Sequence, residues 1–253
     1  VLILRGRARL GLGRFDEARE AFDEALRMQP DNPDAQIGLA TTAFALNNVE
    51  EAQRLAEGAL AKSPDNYLGW MLKGEIAMSL QNAAAAQQAF EGALNIVPGD
   101  LPAQLAIVQA LLVQEKFEQA GANLSALIEE YPKHPGLLFL SAQNELTGNR
   151  NIEAAEAALT VALNQSPDDT SALLLMAWVM LMKGDLESAL ENLNAHQVLL
   201  PGDPAGSKLL AYVLLRRGEL LRGIEVLQRA VDRSPGDMEL VTLLGDAYLQ
   251  AGE

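Results

Sequence analysis

Only a few residues in this sequence could carry out chemistry, and they are scattered along the chain. The chain has two histidines, His134 and His196, and no cysteine, which excludes a thiolate metal site and a disulfide framework. Neither histidine has a partner at a metal-ligand spacing. Adjacent carboxylates occur at the ends or starts of predicted helices, where capping and solvation explain them better than acid–base catalysis does. These pairs are Glu50-Glu51, Glu129-Glu130 and Asp168-Asp169.

The sequence lacks the usual motifs for binding nucleotides. The sequence contains no G-x-x-x-x-G-K-[ST] phosphate loop and no complete G-x-G-x-x-G, the two glycine-rich arrangements that hold nucleotide phosphates on backbone N–H groups. Gly11-Leu-Gly13 is explained by a turn. We therefore predict that the protein is not an enzyme and that it binds no cofactor and no metal.

Composition and charge restrict the class of partner. Acidic residues number 34 against 19 basic ones, for a net charge of −15, and an acidic surface repels phosphate backbones. We expect no nucleic acid partner. Residues 33–203 carry nearly all of the acidic excess, which could attract a basic partner or could simply be a solvated surface. No apolar run is long enough to span a bilayer, so no direct membrane span is predicted.

The elements that would position any functional residue form a repeat. Seven prolines are separated by 34 or 35 residues, and such a period predicts a repeat architecture. They are Pro30, Pro64, Pro98, Pro132, Pro167, Pro201 and Pro235. Small residues keep the same phase at positions where two helices would approach closely. They include Ala18, Ala52, Ala86, Ala120, Ala155, Ala189 and Gly223 in one row and Gly6, Ala40, Gly74, Ala142, Ala177, Ala211 and Gly245 in another.

Local signals place two helices in each repeat. The proline ends the second helix, and a capping residue two positions later starts the next first helix. The capping positions hold Asn32, Asn66, Asp100, His134, Asp169, Asp203 and Asp237. Gly13, Gly184 and Gly218 predict turns within hairpins, Asn48 with Glu51 predicts a capping box, and the single extra residue falls near 148–151. His196 replaces the buried alanine of its repeat, so we expect a buried, hydrogen-bonded imidazole there.

This pattern resembles the tetratricopeptide repeat, whose consensus runs W-x2-L-G-x2-Y, A-x3-F and P. The resemblance covers residues 1–253 and implies an all-α, right-handed superhelix (α-solenoid) of antiparallel helix hairpins. It predicts one array of seven 34- or 35-residue repeats plus a final half repeat, without an internal domain boundary. Because the chain starts with Val1 inside a predicted helix, without a methionine, we expect a fragment of a longer protein.

The resemblance also implies where a partner binds. Tetratricopeptide proteins bind protein segments along the concave face lined by their first helices. Residues of this chain at the corresponding positions are Ile37, Thr41, Phe44, Met71, Glu75, Met78, Leu105, Gln109, Leu112, Phe139, Gln143, Leu174, Trp178, Leu181 and Tyr212. The stripe is mostly apolar, so we expect a protein or peptide segment with apolar anchors, and the basic clamp for acidic chaperone tails is not assembled. Packing between helices is an equal explanation for one apolar row, which consists of Leu10, Phe44, Met78, Leu112, Leu146, Leu181, Leu215 and Leu249.

A narrower resemblance, carried by three short segments, suggests where in the cell the protein acts. Leu4-Arg-Gly-Arg-Ala8, Pro132-Lys-His-Pro-Gly-Leu-Leu-Phe139 and Ser207-Lys-Leu-Leu-Ala211 are similar to the tetratricopeptide lipoproteins of bacterial PEP-CTERM (exosortase) and exopolysaccharide systems. This resemblance implies a scaffold in envelope assembly, periplasmic and lipid-anchored at the outer membrane. The alternatives are a cytosolic adaptor or regulator in the cytoplasm, and the accessory domain of an enzyme such as a glycosyltransferase.

The last predicted helix suggests a second kind of contact. It has no partner from its own hairpin, and four apolar side chains are expected to leave part of its surface exposed. They are Leu240, Leu243, Leu244 and Tyr248. Because terminal repeats normally need a polar outer face, we expect end-to-end self-association.

Overall fold

The computed structural model describes residues 1–252, which form helices joined by short turns, with no strand among them. The all-α fold class is confirmed. The chain divides into two compact units, residues 1–120 (unit 1) and a second that begins at Gly121 (unit 2). Unit 1 contains α1 (Leu2–Gly11), α2 (Phe15–Met28), α3 (Pro33–Ala45), α4 (Val49–Lys62), α5 (Tyr67–Ser79), α6 (Ala83–Ile96) and α7 (Leu101–Val113). The boundary between the units falls within α8 (Phe117–Glu130).

Unit 2 continues with the same kind of element. Its helices are α9 (Pro135–Asn144), α10 (Ile152–Gln165), α11 (Thr170–Lys183), α12 (Leu186–Leu199), α13 (Pro204–Arg216), α14 (Leu220–Arg233) and α15 (Met238–Ala251). Successive helices pack as hairpins in each unit: α1 with α2, α3 with α4 and α5 with α6 in unit 1, and α9 with α10, α11 with α12 and α13 with α14 in unit 2. The predicted continuity of all repeats in one array stays a prediction.

The first helices begin where the capping residues predict. The side-chain oxygen of Asn66 accepts a hydrogen bond from the backbone N–H of Gly69 at 2.8 Å, and that of Asp100 accepts one from Ala103 at 2.9 Å. His134 takes the same role with its ring, since Nδ1 accepts from the N–H of Leu137 at 3.4 Å. A side-chain acceptor at this position satisfies an N–H group that has no partner within the helix. The predicted capping role of His134 is confirmed.

The predicted capping box of α4 is wrong. Asn48 is the residue before α4, but its side chain accepts no hydrogen bond from the helix. The Glu51 carboxylate accepts instead from the Arg19 guanidinium of α2 at 2.5 Å. A charged donor on the preceding hairpin competes for Glu51, and a charge-assisted bond is stronger than the capping contact that it replaces.

The turns within hairpins require a left-handed residue. Gly13, Gly184 and Gly218 have φ angles of 71°, 79° and 80°, as predicted, and glycine adopts this region without steric cost. The one longer repeat differs, because α9 runs into a π-helical turn, Glu145–Asn149, and Arg150 takes the left-handed position with φ of 52°. A π turn holds one more residue per hydrogen-bonded ring than an α turn. The extra residue therefore lies where the sequence predicts it.

Small residues at several of the positions predicted to lie between two helices are buried. Ala86 in unit 1 and Ala189 in unit 2 are both completely buried. We expect Ala86→Leu or Ala189→Leu to lower the free energy of unfolding by about 1–3 kcal/mol, because the larger side chain overpacks a close helix contact. Denaturant unfolding followed by circular dichroism measures this. Ala84→Leu is the control on the same helix, since Ala84 is exposed; equal midpoints for Ala84→Leu and Ala86→Leu would contradict the assignment.

One apolar residue of the last described helix is not where the sequence places it. Leu240 was expected to contribute to an exposed face, but it is completely buried and belongs to a cluster with Leu227 and Ala230 of α14. A residue at the start of α15 faces the preceding helix, so that part of the prediction is wrong. The exposed large apolar side chains of α15 are Met238, Val241 and Leu249. End-to-end self-association stays a prediction.

Candidate protein-binding groove

The first helices of unit 2 enclose a groove of about 870 Å³. Side chains from α9, α11, α13 and α15 line it. They are Phe139, Gln143, Ser171, Leu174, Leu175, Trp178, Leu181, Met182, Ala205, Lys208, Leu209, Tyr212, Glu239 and Leu243. The volume is within the range of sites that bind ligands, and the lining is mostly apolar with a few polar groups, as such sites usually are. We call this feature the unit 2 groove.

Three large side chains in the groove remain exposed. Trp178, Met182 and Tyr212 are 48%, 47% and 44% exposed. The Asp169 cap starts α11 at Thr170. Trp178 lies on the groove side of this helix, on the same face as the residues three or four positions away. Its neighbours on this face, Leu174 and Leu181, pack partly against the core. The exposed Trp178 side chain therefore lies beside apolar side chains that the core holds in place.

The basic group in the groove is neutralised by acidic neighbours. The Lys208 ammonium donates hydrogen bonds to Asp237 at 2.9 Å and to Glu239 at 2.5 Å. Its hydrogen bonds to Glu239 and Asp237 raise the pKa of Lys208, and the bond from Lys208 lowers the pKa of Asp237. Both shifts favour the charged forms. The ammonium is committed to these carboxylates and contributes no free positive charge to the groove.

Other polar groups in the groove are available to a partner. Within residues 1–252, the Gln143 amide, the Ser171 hydroxyl and the Trp178 indole N–H make no side-chain hydrogen bond. Tyr212 differs because its hydroxyl accepts from Arg216 at 3.4 Å, and that guanidinium lies 5.9 Å from the ring centroid. An amide, a hydroxyl and an indole N–H can pair with the N–H and C=O groups of a polypeptide backbone.

The groove brings six predicted residues together and adds others. Phe139, Gln143, Leu174, Trp178, Leu181 and Tyr212 all line it. The sequence prediction missed Ser171, Glu239 and a row of leucines, Leu175, Leu209 and Leu243. The row was visible as a 34-residue repetition. Leu175 and Leu209 lie three residues before Trp178 and Tyr212, a spacing that shares one helix face.

The predicted residues in unit 1 lie on its first helices. Thr41 and Phe44 are on α3, Met71, Glu75 and Met78 on α5, and Leu105, Gln109 and Leu112 on α7. Glu75 and Gln109 are exposed, and the other six are partly buried. These eight residues occupy three equivalent repeat positions on α3, α5 and α7, and we call them together the unit 1 face.

Ile37 does not belong to the unit 1 face. It is only 3% exposed and packs in a core cluster with Leu72 and Ile76 of α5. A Cβ atom on Gly69 would approach the Ile37 Cδ1 atom at 3.0 Å, so the glycine leaves the space into which Ile37 packs. Its assignment as a binding residue is wrong, because a buried side chain offers no surface to a partner.

The apolar row at the end of each first helix is explained largely by packing. Leu10, Phe44, Leu146, Leu181 and Leu215 are partly buried and pack against the core clusters of their own units. Leu249 is the exception at 77% exposed. Of the two explanations that the sequence left open for this row, the structure favours helix packing for these five residues.

A stack of antiparallel helix hairpins with a groove along its first helices defines a class of protein-interaction scaffold. A family model described as Tetratricopeptide repeat matches residues 9–76 and 146–212, more than half of the chain, and a second model of that description matches residues 208–253. The chain belongs to the tetratricopeptide repeat family. A further model, described as Cytochrome c-type biogenesis protein H TPR domain, matches residues 48–157.

Solved structures share the fold at low sequence identity. A tetratricopeptide repeat protein from Parabacteroides merdae is 16% identical with a TM-score of 0.78, and the match covers 97% of each chain. PilW, a type IV pilus biogenesis factor, is 21% identical with a TM-score of 0.71 over 84% of this chain and 98% of its own. A chain of the APC/C hetero-tetramer Cut9-Hcn1 is 15% identical with a TM-score of 0.82. This chain spans about half of that protein, 48%, with 97% of its own length matched.

No curated protein matches the chain. Among residues 1–252, no helix combines the length and apolar character needed to cross a membrane.

Proposed function

We propose that the protein is a non-catalytic scaffold that binds a partner polypeptide in the unit 2 groove. The observation that carries the proposal is the exposure of Trp178, Met182 and Tyr212 within one groove of about 870 Å³. Tryptophan and tyrosine are enriched among the residues that dominate binding energies, and methionine adapts to irregular apolar partners. A segment with apolar anchors would bury these side chains, and its backbone would pair with Gln143 and Ser171.

Removing the largest anchor should weaken binding more than it weakens the fold. We expect Trp178→Ala to lower the affinity for dodecapeptides selected by display on the unmodified protein by roughly thirtyfold, since truncation of a central aromatic anchor costs about 2 kcal/mol. Fluorescence anisotropy with labelled peptides measures the dissociation constant. Circular dichroism should show unchanged helical content, because Trp178 projects from the core.

The matched control is Leu221→Ala. Leu221 is 75% exposed on α14 and does not line the groove, so its removal takes away an exposed apolar side chain at another site. Peptides that bind the wild type, Trp178→Ala and Leu221→Ala equally well would contradict the groove as the binding surface. A loss of thermal stability with retained affinity in Trp178→Ala would assign Trp178 to packing between first helices.

We propose assembly of the bacterial envelope as the setting, with a place in exopolysaccharide or PEP-CTERM sorting systems as the narrower form. The matches to a cytochrome c-type biogenesis domain and to a pilus biogenesis factor support this setting. Fractionation of cells that express the natural full-length product tests it. Recovery with the outer membrane or periplasm supports the proposal. Recovery in the cytosol would favour an adaptor or regulator, and a catalytic domain on the same chain would favour an accessory domain.

A further inference from the structure

One row of the unit 1 face contains a single charged residue. Thr41, Glu75 and Gln109 occupy the same repeat position on α3, α5 and α7, each 34 residues from the next. The Thr41 hydroxyl is satisfied within its own helix, since it donates to the carbonyl of Ile37 at 2.9 Å. Gln109 is uncharged. The Glu75 carboxylate is therefore the one formal charge of this row.

Glu75 has no cation paired with it among residues 1–252, and its carboxylate accepts no side-chain hydrogen bond there. Two carboxylates at the starts of first helices in unit 1 differ from Glu75, because each has a side-chain partner. Asp34 pairs with Arg7 at 3.3 Å, and Asp100 accepts from the Tyr67 hydroxyl at 2.7 Å. The nearest basic residue along α5, Lys73, lies instead over the Trp70 ring at 5.1 Å from its centroid.

The surroundings of Glu75 disfavour an unpaired charge. The residue is accessible to solvent, yet desolvation by the protein around it raises the pKa of its carboxyl group. Tyr67, on the same helix, offers no positive charge, and burial together with its hydrogen bond to Asp100 raises its pKa to about 12. An ionised carboxylate in such a place gains free energy when a cation reaches it.

The other residues of the unit 1 face are apolar or neutral. Met71 and Met78 lie four residues before Glu75 and three after it on α5, on the same helix face. The other members of the unit 1 face carry no charge: they are Thr41 and Phe44 of α3 and Leu105, Gln109 and Leu112 of α7.

We infer that the unit 1 face binds a partner segment in which a lysine or arginine, flanked by apolar residues, pairs with Glu75. The charge is complementary, because a chain with a net charge of −15 attracts basic segments over a distance and repels acidic ones. The apolar flanking residues would contact Met71 and Met78. This inference rests on the proposed function in that it assigns a partner chemistry to a second surface of the same scaffold.

The test isolates the unit 1 face within the full chain. Random dodecapeptides are selected by display on the protein that carries Trp178→Ala, which weakens the unit 2 groove. We expect the selected peptides to be enriched in lysine or arginine next to apolar residues. Glu75→Gln should lower their affinity about tenfold, and so should replacement of the peptide lysine by norleucine. The two changes together should cost no more than either alone, because each removes the same ion pair.

Glu118→Gln is the matched control. Glu118 is exposed on α8 and has no ion-pair partner among residues 1–252, so this variant removes the same net charge from unit 1 at a different place. Affinity should be unchanged in it. Peptides without a basic residue, failure to select any peptide, or equal binding to Glu75→Gln would each overturn the inference. The proposed function is tested separately by the peptides selected on the unmodified protein and by Trp178→Ala.

Discussion

Phe90→Ala is expected to lower the free energy of unfolding by about 3–5 kcal/mol, the usual cost of removing a buried phenylalanine ring. Phe90 of α6 is only 3% exposed. Its ring packs against the backbone of α5 at Gly74, where an added Cβ atom would lie 2.2 Å from the Phe90 Cε1 atom. The ring fills the space that the missing side chain leaves, so removal of the ring opens a cavity between the two helices. Denaturant unfolding followed by circular dichroism measures the loss.

The Gly74→Ala substitution is expected to have the opposite effect from most glycine-to-alanine substitutions in helices. Alanine in place of a glycine within a helix normally stabilises by about 0.5–1 kcal/mol. Gly74→Ala should instead destabilise by about 1–3 kcal/mol, because the methyl group overlaps the Phe90 ring. Gly58→Ala on α4 is the control, since a Cβ atom there meets no atom within 4 Å, and it should show the ordinary gain.

The other repeats of this chain indicate how the stability lost in Gly74→Ala can be recovered. Phenylalanine stands opposite glycine in two hairpins, as Phe22 with Gly6 and Phe90 with Gly74, whereas leucine stands opposite alanine in others, as Leu193 with Ala177. Gly74→Ala combined with Phe90→Leu should therefore be more stable than Gly74→Ala alone. If the double variant is no better than the sum of its single changes predicts, the two positions do not share this space.

The hairpins and their caps could be predicted because they depend on local signals. The proline period and the Asn or Asp caps act within one or two turns, so Asn66 and Asp100 cap their helices as expected. Burial depends on the neighbouring helix as well. Ile37 is buried because Gly69, on the next first helix, leaves room for it, and Glu51 leaves its predicted capping contact because Arg19 of another hairpin reaches it. Such contacts join residues about one repeat apart, and a pattern read along one helix does not show them.

The lining of the unit 2 groove could be predicted only in part, because some of its contacts also join different helices. The position of Trp178 and Tyr212 on first helices follows from the repeat, and both residues line the groove. The neutralisation of Lys208 by Asp237 and Glu239 involves the start of α15. It could not be derived from the helix that carries Lys208.

His196 is a buried histidine with polar groups close to both ring nitrogens. The imidazole is only 2% exposed, Nδ1 lies 3.0 Å from the carbonyl oxygen of Thr170, and Nε2 lies 3.2 Å from Asp203 Oδ2. The expected buried, hydrogen-bonded histidine is confirmed. The same Asp203 oxygen caps α13 by accepting from the N–H of Gly206 at 2.6 Å. The ring therefore packs directly against the cap of the following helix.

We expect His196→Ala to lower the free energy of unfolding by about 2–4 kcal/mol. The substitution leaves a cavity and removes a hydrogen-bond partner from a buried carbonyl. It also installs the residue that most other repeats have at this position, such as Ala93 and Ala162. A gain in stability, which consensus alone would favour, would contradict this assignment. Midpoints of denaturant unfolding decide between the two.

The contact between Gly206 and His196 explains why alanine at position 196 should lower the stability when it is introduced alone. A Cβ atom at Gly206 would lie 2.5 Å from the His196 ring, so Gly206→Ala alone should destabilise by about 1–3 kcal/mol through overpacking. In the double variant the new methyl group occupies space that the imidazole has left, and the resulting pair matches Ala93 with Ala103 and Ala162 with Ala172 in other repeats. The double variant should therefore lose less stability than the two single losses combined, with a coupling of about 0.5–3 kcal/mol. Strictly additive losses would mean that His196 and Gly206 do not share this space, and that the histidine acts through its hydrogen bonds to Thr170 and Asp203 alone.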